Sequence, residues 1–204
     1  MDFQVRIIMA TQQEVYTPKG HLEVWKIFRD NTKELVFSDS NTITSGMGVG
    51  LATMFAGPPF GSNHIQDYQI RWAQIGTSAP VSYGPTIYKL VAPLSSLSQY
   101  GTNTESIVSA MTPIENGAVG STKYFIEVPF NAIQKVSNKS VRWTIGLGYN
   151  TANDLSLNLN EIGLFMHNPL NQGTTCPLLV AYKTFSNIEK TSDFALVFRW
   201  TITF

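Results

Sequence analysis

Apolar and polar residues alternate with period two along most of this chain, the pattern of strands that bury one face. The C-terminal run is the fullest: Phe194, Leu196, Phe198, Trp200, Ile202 and Phe204 stand in phase, with Ala195, Val197, Arg199, Thr201 and Thr203 between them. Val141, Trp143, Ile145, Leu147 and Tyr149 form a second run, and Tyr124, Ile126, Val128 and Phe130 a third. Pro129 has no amide hydrogen for a ladder, so the third strand is placed near an edge or near its own end. Phe3, Val5, Ile7 and Met9 alternate near the N-terminus, and Tyr68, Ile70 and Trp72 alternate within 65–76. Segments 21–29 and 177–185 are apolar on both faces and read as strands inside a sheet. Within 155–169, Leu155, Leu157 and Leu159 share one phase while Ile162, Leu164 and Met166 share the other. A one-residue slip turns every side chain over, so a bulge or break is required near Asn160–Glu161.

One segment departs from this period. Ile43, Met47, Leu51, Met54 and Phe55 recur at helical spacing. Ser40 or Asn41 is placed to cap the start, and Gly57 with Pro58 and Pro59 to end it. Gly46, Gly48 and Gly50 lie inside, each about 1 kcal/mol worse than Ala in a helix. A neighbouring backbone must come close there, or part of the segment is loop. Eight or nine strands separated by Gly, Pro, Asn and Ser clusters predict an all-β fold, an antiparallel β-sandwich of jelly-roll-like type with one short helix near residues 42–56. A single domain spanning 1–204 is expected, with 1–18 an N-terminal strand or arm.

Composition narrows the function classes. Charged residues make up 14 % of the 204 residues, and acidic and basic side chains cancel, against a usual charged share of about 25 %. Ser, Thr, Asn and Gln outnumber them roughly twofold, so the surface is expected to be mostly neutral and polar. That suits protein contacts or sugar binding. It does not suit a phosphate backbone, for which Lys and Arg supply most of the affinity, so no nucleic-acid partner is expected. The start, "MDFQVRIIMATQQEV", has an acidic second residue and broken apolar runs, unlike a signal peptide. No window reaches the roughly 18 apolar residues of a membrane helix. A soluble protein made in a cytoplasm, with no membrane partner, is the expectation. The single cysteine, Cys176, allows no internal disulfide and reads as a small buried residue.

Candidate chemistry is sparse. His21, His64 and His167 have no metal-binding spacing, and no G-x-S-x-G elbow is present. "GMGVG" at 46–50 lacks the lysine and hydroxyl of a phosphate loop. The oxygen-rich run 150–161 lacks the positions and central glycine of a calcium loop and reads as a turn entering a strand. Asn138-Lys139-Ser140 matches a glycosylation acceptor, without an export signal beside it. Arg71-Trp72, Arg142-Trp143 and Arg199-Trp200 repeat one phrase, with Trp expected in the core and Arg laid along the opposite face. A shared ligand surface of the three arginines is the other reading. Tyr68, Tyr83, Tyr88 and Tyr100 lie in or near turn-rich stretches and are the candidate sugar-stacking residues, unless they serve packing. No catalytic residue, cofactor or metal site is predicted, and the sequence does not single out an interface.

The segment "NEIGLFMHNP", followed by "LLVAYKTFSNIEKTSDFALVFRWTITF", resembles the C-terminal part of virion structural proteins of tailed bacteriophages. In those proteins an "EIGLF" strand precedes an "LLAY..F..I.KT..F.L.F.WTI.F" stretch. The likeness covers Asn160 to Phe204, about a fifth of the chain, and "GHLEVWKIFRDNTKELVFSDSNTITSGMG" has the same flavour, a short strand pair followed by a glycine-containing segment. It implies a non-enzymatic component of a head, collar or tail, located in the virion, with other virion proteins and copies of itself as partners. A carbohydrate- or receptor-binding β-sandwich is the alternative.

Overall fold

The computed structural model describes residues 17–56, 68–76, 107–111, 123–153, 158–166 and 178–204. They form β1 Lys19–Phe28, β2 Lys33–Ile43, α1 Ser45–Ala56, β3 Ile70–Gly76, β4 Ile107–Met111, β5 Lys123–Glu127, β6 Ile133–Lys135, β7 Ser140–Leu147, β8 Asn158–Met166, β9 Leu178–Glu189 and β10 Phe194–Thr203. Every strand pairing is antiparallel. The spatial order is β4-β5-β3-β8-β9-β2-β1-β10-β7-β6. The all-β, antiparallel expectation with one short helix is met.

This sheet folds over on itself. β3 and β7 stand six places apart in the order, roughly 29 Å on a flat sheet. Yet Trp143 Nε1 in β7 donates to the Ile70 carbonyl in β3 at 2.8 Å. Two layers therefore face each other: a front layer β2-β1-β10-β7-β6 and a back layer β4-β5-β3-β8-β9. Strand β2 turns the corner between them. Its body pairs with β1, while Thr42 and Ile43 pair with Tyr182 and Ala181 of β9. On the far side the chain crosses back through Val128, whose amide donates to Arg71 O, and a single 3-10 turn at Phe130–Ala132 that leads into β6. Three pairings are nested first with last, β1 with β10, β2 with β9 and β3 with β8. That nesting is the jelly-roll-like part of the architecture.

The core lies between the layers. The front contributes Leu22, Val24, Trp143, Ile145, Leu147, Leu196, Phe198, Trp200 and Ile202; the back contributes Ala73, Ile75, Ile162, Leu164, Met166 and Val180. Leu196, Phe198, Trp200 and Ile202 are fully buried, each stabilising the fold by about 2 kcal/mol relative to exposure. β10 is paired on both sides, with β1 and with β7, so the last strand of the chain is an internal one.

The phase slip in β8 is real: the register shifts between Leu159 and Glu161, and Leu159, Ile162, Leu164 and Met166 all reach the core. A second slip, between Ile70 and Trp72, corrects the reading of β3. Ile70, Ala73 and Ile75 join the core, while Trp72 lies beside Phe165 on the other face of the back layer, buried there. β5 stops at Glu127, so Phe130 is exposed in the 3-10 turn rather than in phase with Ile126 and Val128. Neither Ser40 nor Asn41 caps the helix, because β2 runs on to Ile43. Met47 is buried in the core and Leu51 packs against it, but Met54 and Phe55 are exposed, so the helical stripe faces inward until its last turn. Gly46 and Gly50 are buried; Gly48 faces open space. The predicted strand at 3–9, the arm at 1–18 except its last two residues, and the stop at 57–59 lie outside the described residues.

Candidate interaction surfaces

Alternation fixes what the front layer shows outward. Across its strands the register lines residues into rows. Leu35, Trp25 and Val197 make one row, with Leu35 45 % exposed. Ser38, Glu23, Arg199 and Thr144 make the next, and Ser40, His21, Thr201, Arg142 and Gln134 the third. The face thus passes from apolar to hydroxyl-rich within two rows. Its polar groups are tied to one another: Trp25 Nε1 donates to Glu23 Oε2 at 3.3 Å, and Arg142 Nε to Thr201 Oγ1 at 3.3 Å. His21 Nε2 and Ser38 Oγ lie 3.0 Å apart, and the Arg199 guanidinium stands 5.5 Å from the Trp25 ring. Such ties reduce the ordering cost of covering the face.

Of the three Arg-Trp pairs, the structure brings two together. Arg142 and Arg199 share this face on neighbouring strands, and Trp143 and Trp200 pair beneath them in the core. Arg71 belongs to the back layer, with its guanidinium 4.5 Å from the Phe130 ring. A surface shared by all three arginines is not formed.

The seam where the layers meet is the second surface. A cleft of ≈ 210 Å³ opens there, lined by Gln69, Ile70, Phe130, Ile133 and Trp143. Phe130 on its rim is 60 % exposed. Gln69 Oε1 and Tyr68 Oη beside it are buried without a hydrogen bond. At roughly 300–1,000 Å³, small-molecule sites are larger; this cleft has the size of one side chain.

The turns at one end of the sandwich are bound to one another rather than open to a ligand. Lys190, fully buried, donates to Thr191 O at 2.7 Å, Asn153 Oδ1 at 2.9 Å and Tyr149 O at 3.4 Å. Tyr149 Oη donates to Phe28 O at 3.0 Å, and Arg29 Nη2 to Ser192 O at 2.9 Å. The oxygen of Asn153, part of the oxygen-rich run considered for calcium, is therefore occupied by a lysine. Asp39, at the corner where β2 leaves the front layer, accepts from Lys183 Nζ at 2.7 Å. This bond, with the Ser40 amide, holds the Asp39 carboxyl below its ordinary range. Hydrogen bonds from Thr32 do the same for Asp30 in the β1–β2 turn.

Inside the back layer sits a polar group of another kind. Glu161 is fully buried and accepts a hydrogen bond from Tyr182 Oη at 2.8 Å. It lies over Gly76, its register partner, where any Cβ would collide with its Oε1.

Asn138 is exposed in the turn between β6 and β7. His64, His167, Cys176, Tyr83, Tyr88 and Tyr100 lie outside the described residues. Among the described residues no three His, Cys, Asp or Glu side chains gather as a metal site, and no helix is long and apolar enough to cross a membrane. The Leu35–Trp25–Val197 row and the seam cleft were not evident in sequence: each is assembled by register from strands far apart in the chain, and only the exposed turn after Pro129 marks Phe130 locally. No known protein family matches this chain, and neither does any curated protein or any solved structure.

Proposed function

We propose that this protein is a non-enzymatic structural component of a tailed-phage particle, working through protein–protein contacts in the head, collar or tail. The observation that carries the reading is the outer face of the front layer. Trp25, Leu35 and Val197 form an apolar row beside rows of Ser38, Ser40, Thr144 and Thr201, with charge at Glu23, Arg142 and Arg199 in these rows and at Lys19 and Lys33 in the rows that flank them. A protein partner covering such a face desolvates few ions, and buried unpaired ions are what make an interface costly. The likeness of Asn160–Phe204 to phage virion proteins supports it further, since that segment supplies β8, β9 and β10.

Light scattering behind a sizing column, over a concentration series, tests the reading. A closed oligomer is expected. A strict monomer that binds a glycan saturably, and loses that binding on Trp25→Ala, would replace this reading with the sugar-binding one.

A further inference from the structure

β6 is the last strand of the front layer. Ile133, Gln134 and Lys135 pair with Trp143, Arg142 and Val141 on one side, and among the described residues no strand pairs with the other. An open edge of main-chain donors and acceptors is a template for one more strand. Here the edge runs beside the seam cleft, to which Ile133 and Phe130 both contribute, and exposed Phe130 and Val136 flank it. A strand added at an edge gains main-chain hydrogen bonds, while its alternate side chains need pockets. This edge offers both, and the cleft admits one side chain.

The chain itself contains a fitting occupant. Sixteen residues precede Thr17, enough to extend roughly 53 Å. Among them Phe3, Val5, Ile7 and Met9 alternate with Gln4, Arg6 and Ile8. They leave from the end of β1, at Lys19 opposite Thr203, which in turn lies opposite Ser140. To lie on the free edge of its own β6, the segment would have to pass β10, β7 and β6 and turn back. Pro18 can turn the chain as it leaves β1, but residues 10–17, "ATQQEVYT", contain no Gly, Pro, Asn, Asp or Ser for the second turn that running back along β6 requires. The edge of a second copy is therefore the better match for 3–9 than the chain's own edge.

We propose that residues 3–9 of one copy add as a strand to the β6 edge of a second copy, placing one of their in-phase apolar side chains in the cleft formed by Gln69, Ile70, Phe130, Ile133 and Trp143. This inference rests on the particle reading and names its partner and its site. β6 pairs over only three residues and carries Lys135, features that discourage indiscriminate pairing while leaving room for one specific strand.

Two tagged forms of the full chain test it, one carrying Arg6→Cys, in the phase that faces away from the cleft, and the other Gln134→Cys, on the same outer face, both with Cys176→Ser. Mixed and oxidised, they should give a disulfide-linked pair of the two forms. A single chain carrying both cysteines that closes the bond internally would overturn the second-copy assignment, and absence of any bond would overturn docking at this edge. Light scattering provides the second measurement. Removing residues 2–16, or introducing Phe130→Ala, should weaken self-association at least about tenfold, as expected for loss of one anchoring side chain, with unchanged melting for Phe130→Ala. If the shortened chain associates as tightly as the full one, this proposal fails while the particle reading stands. If the full chain is itself monomeric at all concentrations and binds glycan, the particle reading fails.

Discussion

The two layers are built from similar strands but treat their outer faces differently. In the front layer β10 alternates between buried and half-buried positions up to an exposed Thr203, and β7 alternates over its second half. In the back layer β8 is buried at every position after Asn158, and six of the seven residues of β3 are buried. One layer therefore keeps a surface to offer, whereas β3 and β8 of the other are covered on both faces. Polar groups follow suit. Each layer contains a glycine opposite a polar side chain that receives an aromatic donor: Gly20, Asn41 and Trp200 in front, Gly76, Glu161 and Tyr182 behind. In front the acceptor is a neutral, half-buried amide; behind, it is a carboxylate with no exposure. An uncovered sheet leaves such a group near water, whereas a doubly covered one depends on each hydrogen bond made within it.

The largest effect is expected at the end of β10. Deleting Ile202–Phe204 removes a fully buried side chain, two ladder connections and the bond from Phe204 N to Lys139 O. Insoluble protein is the expected result on expression, and unchanged melting would show that the front layer does not need its last turn of pairing.

Substituting the two glycines sharpens the contrast next. Gly76→Ala would press a methyl group onto Glu161 inside the covered layer, and Gly20→Ala would press one onto Asn41 at the half-open one. Overpacking of this kind costs about 1–3 kcal/mol. Urea unfolding should place Gly76→Ala at the upper end and Gly20→Ala at the lower, because Asn41 is only half-buried whereas Glu161 is fully buried. Equal losses would mean that the cover over the back layer makes no energetic difference. Tyr182→Phe follows, removing the donor to a buried carboxylate at about 1–3 kcal/mol. A loss well below that range would show that Glu161 is adequately held by its other surroundings.

The smallest effect belongs to the exposed corner. Lys183 and the Ser40 amide lower the Asp39 pKa from its ordinary 3.8 in the folded chain. A depressed folded value adds stability above the unfolded pKa, and that contribution disappears as pH falls through the folded one. Melting temperatures between pH 5 and pH 2 should therefore drop slightly less steeply for Asp39→Asn than for the parent. Identical slopes would leave the pair without a share in acid stability, as is common for exposed ion pairs.

Much of the architecture was legible from period alone. The eight residues of β7 and β10 that carry the front core stand in unbroken alternation along each strand, and the bulge in β8 announces itself as a change of phase between Leu159 and Ile162. β2, β4 and β6 were not legible in the same way. β2 carries a register shift opposite Val24 and is polar from Ser38 to Thr42, while β6 has three residues, too few for a period to emerge. The bulge between Ile70 and Trp72 was hidden for another reason. Trp72 and Ala73 are both buried, one on each face, so no polar residue marks the side that faces away from the core.

By itself the sequence determined that the chain makes strands, where most of them run, that one short helix interrupts them, and that few charges remain for the surface. Local alternation and turn residues are enough for that, because each acts over a handful of neighbours. The tertiary structure decided which strands meet, that the last strand is internal, that Arg71 is parted from Arg142 and Arg199, and that Gln69, Ile70, Phe130, Ile133 and Trp143 line one cleft. Those facts depend on pairings between residues far apart in the chain, and a period-two pattern specifies which face of a strand is buried without naming the strand that lies beside it.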